Sequence, residues 1–168
     1  RVASRGLGDV YKRQGIISSK EVTGRIINSL KKLEYRGYDS AGIATLVDGN
    51  INEVKCEGRV EVLEKDISKF NLKGDIGIGH VRWATHGKPS KINAHPHSSE
   101  QVSVVHNGII ENSTLLKKVL EQKGYVFKSQ TDTEVIAHLV TEYLKKNSLK
   151  DTIIKVLKKL HGSFALGI

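Results

Sequence analysis

Apolar residues at Val22, Ile26, Leu30 and Leu33 recur at helical spacing, and Ser18-Ser-Lys-Glu21 ahead of them has capping-box order. A helix is therefore expected here, following Gly15-Ile-Ile17, which reads as the end of a buried strand. Glu34–Gly42 is a dense polar and glycine turn. Ile43–Val47 and Ile51–Lys55 flank Asp48-Gly49, the signal of a tight hairpin. Beyond it, Val60–Ser68 reads as a short helix, and Ile76–Gly79 and Val102–Val105 as strands, the second ending at His106-Asn-Gly108. Ser113 is placed to cap a helix through Lys123, closed by Gly124. Tyr125–Lys128 alternates like a short strand. Helices follow from Thr131-Asp-Thr133 to about Leu144 and over Asp151–Leu160, then an apolar strand, Gly162–Ile168, that stops without a turn and reads as a truncation. Strands outnumber what one layer needs and helices come in pairs, so the pattern predicts a layered α+β sandwich rather than a doubly wound sheet.

Composition changes this picture little. Hydrophobic content of 38% suits one domain with a core, and no apolar run approaches the roughly 20 residues of a membrane helix. One cysteine, Cys56, excludes an internal disulfide framework and fits a reducing, cytoplasmic setting. The formal charge of +9 raises the question of nucleic acid. Four of the basic residues, Arg1, Arg5, Lys12 and Arg13, sit in the first fourteen against a single Asp9. The other lysines lie mainly in helical stretches beside Glu and Leu, as solvated faces do, so neither a nucleic-acid nor a membrane partner is expected. Residues 1–14 share no periodicity with the rest and are read as a non-native segment, leaving 15–168 as the domain.

Candidate chemistry concentrates in Gly79-His-Val-Arg-Trp-Ala-Thr-His-Gly-Lys-Pro-Ser90, at the end of a predicted strand. Arg82 offers a planar fork for a carboxylate, and Thr85 and His86 can donate to the same ligand. This reads as a site for a small anionic or zwitterionic molecule. Trp83 is expected to pack a wall of it, and His95 to line it. His95 and His97 flank a proline and lack a third ligand at a convincing spacing, so no metal and no cofactor are expected.

Six ordered strings carry a resemblance: Leu33-Glu-Tyr-Arg-Gly-Tyr-Asp-Ser-Ala-Gly42, His80-Val-Arg-Trp-Ala-Thr-His-Gly87, Asn93-Ala-His-Pro-His97, Val105-His-Asn-Gly-Ile-Ile-Glu-Asn112, Thr131-Asp-Thr-Glu-Val-Ile136 and Leu160-His-Gly-Ser-Phe-Ala165. Residues 15–168 resemble the glutaminase half of the glutamine–fructose-6-phosphate aminotransferases, within the class II glutamine amidotransferases. The phosphoribosylpyrophosphate-dependent branch shares some of these themes. The resemblance implies a four-layer αββα sandwich of the N-terminal-nucleophile hydrolase type. It implies hydrolysis of L-glutamine, with ammonia passed to a C-terminal isomerase domain that binds fructose 6-phosphate, in a full-length homo-oligomer making glucosamine 6-phosphate.

Roles follow from the same resemblance. Asn107 and Gly108 take the place of the oxyanion hole, although Asn-Gly by itself is also a turn pair. Arg82 becomes the clamp for the glutamine carboxylate, with Thr85 and His86 beside it. Asp132 becomes the partner of the α-ammonium, or a helix cap, or both, and Arg36 a fixed positive charge near the nucleophile. The family nucleophile is a mature N-terminal cysteine whose own α-amine is the base. The motif Cys-Gly-Ile-Val-Gly, ending at Gly15, puts that cysteine at Tyr11, inside the aberrant prefix. Cys56 lies after the hairpin and reads as a small structural residue. The chain as written is expected to be inactive, and the alternatives are a glutamine-binding module without turnover or another class II amidotransferase such as the phosphoribosylpyrophosphate-dependent one.

Overall fold

In the computed structural model, which describes residues 13–83 and 87–168, the elements run β1 (Arg13–Ile17), α1 (Thr23–Leu33), a 3-10 turn (Glu34–Arg36), β2 (Ser40–Val47), β3 (Asn50–Glu57), α2 (Val60–Ile67) and β4 (Ile76–Arg82). They continue as β5 (His97–Ser99), β6 (Val102–Ile110), α3 (Ser113–Gln122), α4 (Thr133–Leu144), α5 (Leu149–Lys159) and β7 (Gly162–Gly167). The first sheet has the order β1-β4-β2-β3 and the second β5-β6-β7, with every pairing antiparallel. Helices α1 and α2 pack on one sheet, α4 packs on the other, and α3 and α5 pack on α4. Strands β1 and β4 meet β6 and β7 in the middle. That is an α+β sandwich of four layers.

Each sheet has two chemically different faces, because alternate residues of a strand point opposite ways. In β4, Gly77 and Gly79 face α1 so closely that a Cβ at Gly79 would lie 2.5 Å from Ile26 Cγ2. Val81 continues this face into the first core, with Val22, Ile26, Leu30, Ala41 and Ile43. Full burial of a side chain such as Ile26 or Leu30 contributes about 1.5–3 kcal/mol each. Ile78, His80 and Arg82 therefore point toward the second sheet. In β6, Val102, Val104 and Ile110 belong to the second core with Leu116, Leu120, Ile136, Val140 and Val156. Asn107, of opposite parity, points back toward β4. Helix α4 is buried from Thr133 to Thr141, as a helix covered on several sides must be.

The predicted helices, the hairpin and the last strand are all present. Asp48 and Gly49 have φ of 50° and 78° between paired Val47 and Asn50, the two positive values that a type I′ turn requires. Several local expectations are corrected. The capping box does not form: Ser18 Oγ accepts from Lys20 N and Arg25 Nη1, Val22 N donates to Gly74 O, and α1 starts only at Thr23. Strand β1 is half-exposed rather than buried, with Ile17 open to solvent. The 34–42 turn is shorter than expected, since β2 already begins at Ser40.

Strand β6 does not end at His106 but runs to Ile110, because β7 pairs with its second half. Asn112, not Ser113, holds the N-cap position of α3, and its side chain bridges Lys159 O and His161 N instead of capping. Helix α5 begins at Leu149, two residues ahead of Asp151, because Ser148 Oγ accepts from Asp151 N as its cap. Tyr125–Lys128 is not a strand. Its alternation is real, with Tyr125 and Phe127 packed on the second core, but the N–H groups of Lys128 and Ser129 go to the Glu134 carboxylate. Among the described residues no helix is long and apolar enough to cross a membrane.

Candidate active site

Four elements converge at one end of the sandwich: the end of β4, the second half of β6, the start of α4 and the turn after α1. Arg82, the last residue of β4, is only 5% exposed. Its Nη2 donates to Gly87 O at 3.3 Å, and Asp39 and Asp132 both act on its charge. Burial pulls the guanidinium below the ordinary arginine range, and the two carboxylates pull it back. A buried cation within electrostatic reach of two carboxylates is a setting in which charge contacts are strong.

Asp132 stands at the N-cap position of α4, but its carboxylate does not cap the helix. Oδ2 accepts from Ile110 N at 2.8 Å, and Oδ1 lies 3.8 Å from His106 Nδ1. The next residue, Thr133, presents its hydroxyl to two imidazoles, His106 Nδ1 at 2.9 Å and His95 Nε2 at 2.8 Å. Asn107 is half-buried, with Oδ1 2.7 Å from Nε2 of buried His80 across the gap between the sheets. Gly108 beside it is exposed and has φ +123°, so Asn107-Gly108 is a strand segment in a backbone conformation that suits glycine, rather than a turn pair.

Not all expected residues sit alike. Gly37 lies so tightly on the Arg82 carbonyl that a Cβ would be 2.8 Å from it, which presses the Arg36 turn against the end of β4. Arg36 Nε itself donates to Tyr35 Oη at 2.9 Å, with the guanidinium 5.3 Å from that ring. Trp83 is 54% exposed and meets Tyr38 edge-on at 5.8 Å. His95 is buried between the layers, its ring 4.4 Å from that of His80. Thr85, His86 and Tyr11 lie outside the described residues. Cys56 is buried against α2, where burial raises its thiol pKa, consistent with an inert packing residue.

Sequence reasoning missed His80, His106, Thr133 and Glu134 as parts of the site's frame. Glu134 accepts from Lys128 N, Ser129 N and Ser129 Oγ, which fixes the segment leading into Asp132. Burial alone would raise its carboxyl, but nearby His138 and the hydrogen bonds from Lys128 and Ser129 outweigh that and hold it at about 2. The signal available was a set of polar residues at core-facing positions of otherwise apolar elements. Among the described residues no three His, Cys, Asp or Glu side chains are arranged to hold a metal ion. A groove of about 650 Å³ lined by Leu115, Val119, Tyr143 and Lys146 lies on the outer helices, away from all of these residues.

The buried imidazoles make the fold acid-sensitive. His97, whose Nε2 meets Thr131 Oγ1 at 3.0 Å, is pushed down to about 3 by burial and by nearby Lys55. The unfolded chain takes a proton there near pH 6.5 and the folded chain does not, so acid favours unfolding through this interval. His97 by itself is expected to remove about 2 kcal/mol of stability between pH 7.5 and pH 5. A second loss follows between pH 4.5 and about 2, as the Glu134 carboxylate gains its proton first in the unfolded state. Urea midpoints across pH measure both, and His97→Gln should reduce the first, leaving the share that His95, held well below its ordinary range by burial, contributes over the same interval. A midpoint unchanged from pH 7.5 to 5 would contradict this account.

The comparisons place this αββα sandwich, with its cation and carboxylate near a half-buried amide, among the amidotransferase domains. Residues 80–168 match the glutamine amidotransferase domain family, and the chain belongs to that family. Its fold is of the N-terminal-nucleophile type found in solved amidotransferases. The glutamine phosphoribosylpyrophosphate amidotransferase of B. subtilis, complexed with ADP and GMP, superposes with TM-score 0.77 at 33% identity, over 92% of this chain and 34% of that one.

In sequence the chain is similar to the glutamine–fructose-6-phosphate aminotransferase (isomerizing) of Clostridium acetobutylicum, 54% identical over 156 residues. It is 55% identical over 157 residues to the enzyme of that name from Francisella tularensis subsp. tularensis. Each alignment takes in 92% of this chain and 26% of the relative, so the chain spans about a quarter of the length of these relatives.

Proposed function

We propose that this chain is the glutaminase part of a cytoplasmic enzyme that forms glucosamine 6-phosphate from fructose 6-phosphate, using ammonia released from L-glutamine. The carrying observation is buried Arg82 at the end of β4 with Asp132 near enough to act on its charge, and Asp132 tied to Ile110 N on the strand that carries Asn107 and Gly108. Arg82 grips the α-carboxylate with its fork, and Asp132 receives the α-ammonium. Thr85 and His86 add donors to the carboxylate, Trp83 covers the mouth, and His95 supports the site through Thr133. Arg36 supplies positive charge beside the nucleophile.

The hydrolysis needs a thiolate on the side-chain carbonyl carbon. Residues 1–14 are a non-native prefix in this reading, and the nucleophile is a first-residue cysteine at the place of Tyr11. Its α-amine, with a pKa of about 7.7–8.0, takes the thiol proton and returns it to the departing ammonia. The Asn107 amide and the Gly108 N–H receive the oxyanion, and water then cleaves the thioester to glutamate. The isomerase domain that consumes the ammonia belongs to the remaining length of the relatives, and the full-length enzyme is a homo-oligomer.

Two measurements test this. Calorimetric titration of the chain with L-glutamine should give saturable binding, while no ammonia appears. A version beginning with cysteine in place of Tyr11 should release ammonia from glutamine. Binding without ammonia from that version would favour the binding module, and absence of binding to either would end the proposal.

A further inference from the structure

We propose that His80 is a positioning residue for the oxyanion donor: its Nε2–H donates to Asn107 Oδ1 and so turns the Asn107 amide N–H₂ toward the substrate. This deepens the reading of Asn107 given above and rests on it. A carboxamide has a donor end and an acceptor end of nearly equal size, and rotation about its last bond exchanges them. With the oxygen outward, a partial negative charge would face the developing oxyanion and oppose it. With the nitrogen outward, it stabilises that charge, so catalysis depends on which end is tied inward.

The geometry supplies the tie. His80 sits on the inter-sheet face of β4, two residues before Arg82, and its Nε2 is 2.7 Å from Oδ1. The imidazole is 3% exposed and its ring is tilted 35° over that of His95 at 4.4 Å, which limits its rotation. His95 is in turn held through Nε2 at Thr133 Oγ1, beside Asp132. Asn107 has the opposite situation: one end meets buried His80, and its residue as a whole reaches solvent next to exposed Gly108. A buried imidazole that donates to the inner oxygen leaves only the N–H₂ for the open side. The same link connects β4, which carries Arg82, to β6, which carries Asn107. It therefore sets the carboxylate clamp and the oxyanion donor in one frame.

Two experiments decide it. Long-range nitrogen–proton NMR of the imidazoles, on the chain as it stands at pH 7.5, should show His80 with its proton on Nε2. A proton on Nδ1, with Nε2 unprotonated, would overturn the proposal, since Nε2 would then accept from Asn107 and leave the oxygen outward. Kinetics of the cysteine-initiated chain supply the second arm. His80→Leu should lower kcat by about 30-fold, part of the 10²–10³ expected from losing an oxyanion donor, with KM for glutamine within twofold. His80→Gln, which can still donate to Oδ1, should recover most of that loss. A kcat unchanged in His80→Leu while Asn107→Ala lowers it would refute the positioning role alone. An unchanged kcat in Asn107→Ala would refute the oxyanion reading, and this proposal with it.

Discussion

Arg82→Lys weakens L-glutamine binding roughly 30-fold, and Arg82→Leu abolishes it, while the lysine variant keeps the fold. Lysine retains the positive charge on which Asp39 and Asp132 act, so those partly buried carboxylates keep their compensating cation. What it loses is the planar fork, which offers two parallel N–H donors to a carboxylate where an ammonium offers a point charge. Charge-assisted hydrogen bonds contribute about 1.5–3 kcal/mol each, and about 2 kcal/mol lost corresponds to the stated factor. Leucine leaves two carboxylates beside an apolar side chain, so its thermal midpoint should fall as well. Titration calorimetry with glutamine, paired with thermal unfolding, separates the effects. A lysine variant that binds as tightly as the parent would show that Arg82 is not the clamp.

Gly108→Ala is expected to cost about 3 kcal/mol or more and lower the thermal midpoint by about 10 °C. Two independent effects add here. The residue has φ +123°, where a side chain is strained, and an added Cβ would sit 2.0 Å from Ser163 O on paired strand β7. The clash is with backbone, which no rotamer change relieves, so β7 must move away from β6. Gly124→Ala is the control: its φ is +90° but nothing lies within 4 Å of the added Cβ. It should lose only about 1 kcal/mol. Equal midpoints for the two variants would show that the β6–β7 contact is not what requires glycine at 108. If Gly108→Ala folds at low temperature, displaced N–H geometry should still depress turnover in the cysteine-initiated chain.

Much of the scaffold was legible in the chain because it depends on local periodicity. Val22, Ile26 and Leu30 fall on one helical face and are fully buried, and Asp48-Gly49 forms the turn its chemistry demands. Misreadings arose where a distant group took over a backbone partner. Ser18 lost its capping role because Gly74 O reaches Val22 N, and Tyr125–Lys128 lost strand pairing because Glu134 collects the adjacent N–H groups. Strand β6 was cut short because its continuation pairs with β7, more than fifty residues later.

The sequence by itself determined the helices, the hairpin and the α+β class, and singled out Arg82 as a fork suited to a carboxylate. Only the tertiary structure decided that His80 meets Asn107, that Asp132 serves Ile110 N instead of its own helix, and that Arg82 is desolvated within reach of two carboxylates. Periodicity follows from covalent geometry and is written in neighbouring residues. The orientation of an amide and the strength of a charge depend on what packing brings across from other layers, over separations that no local pattern encodes.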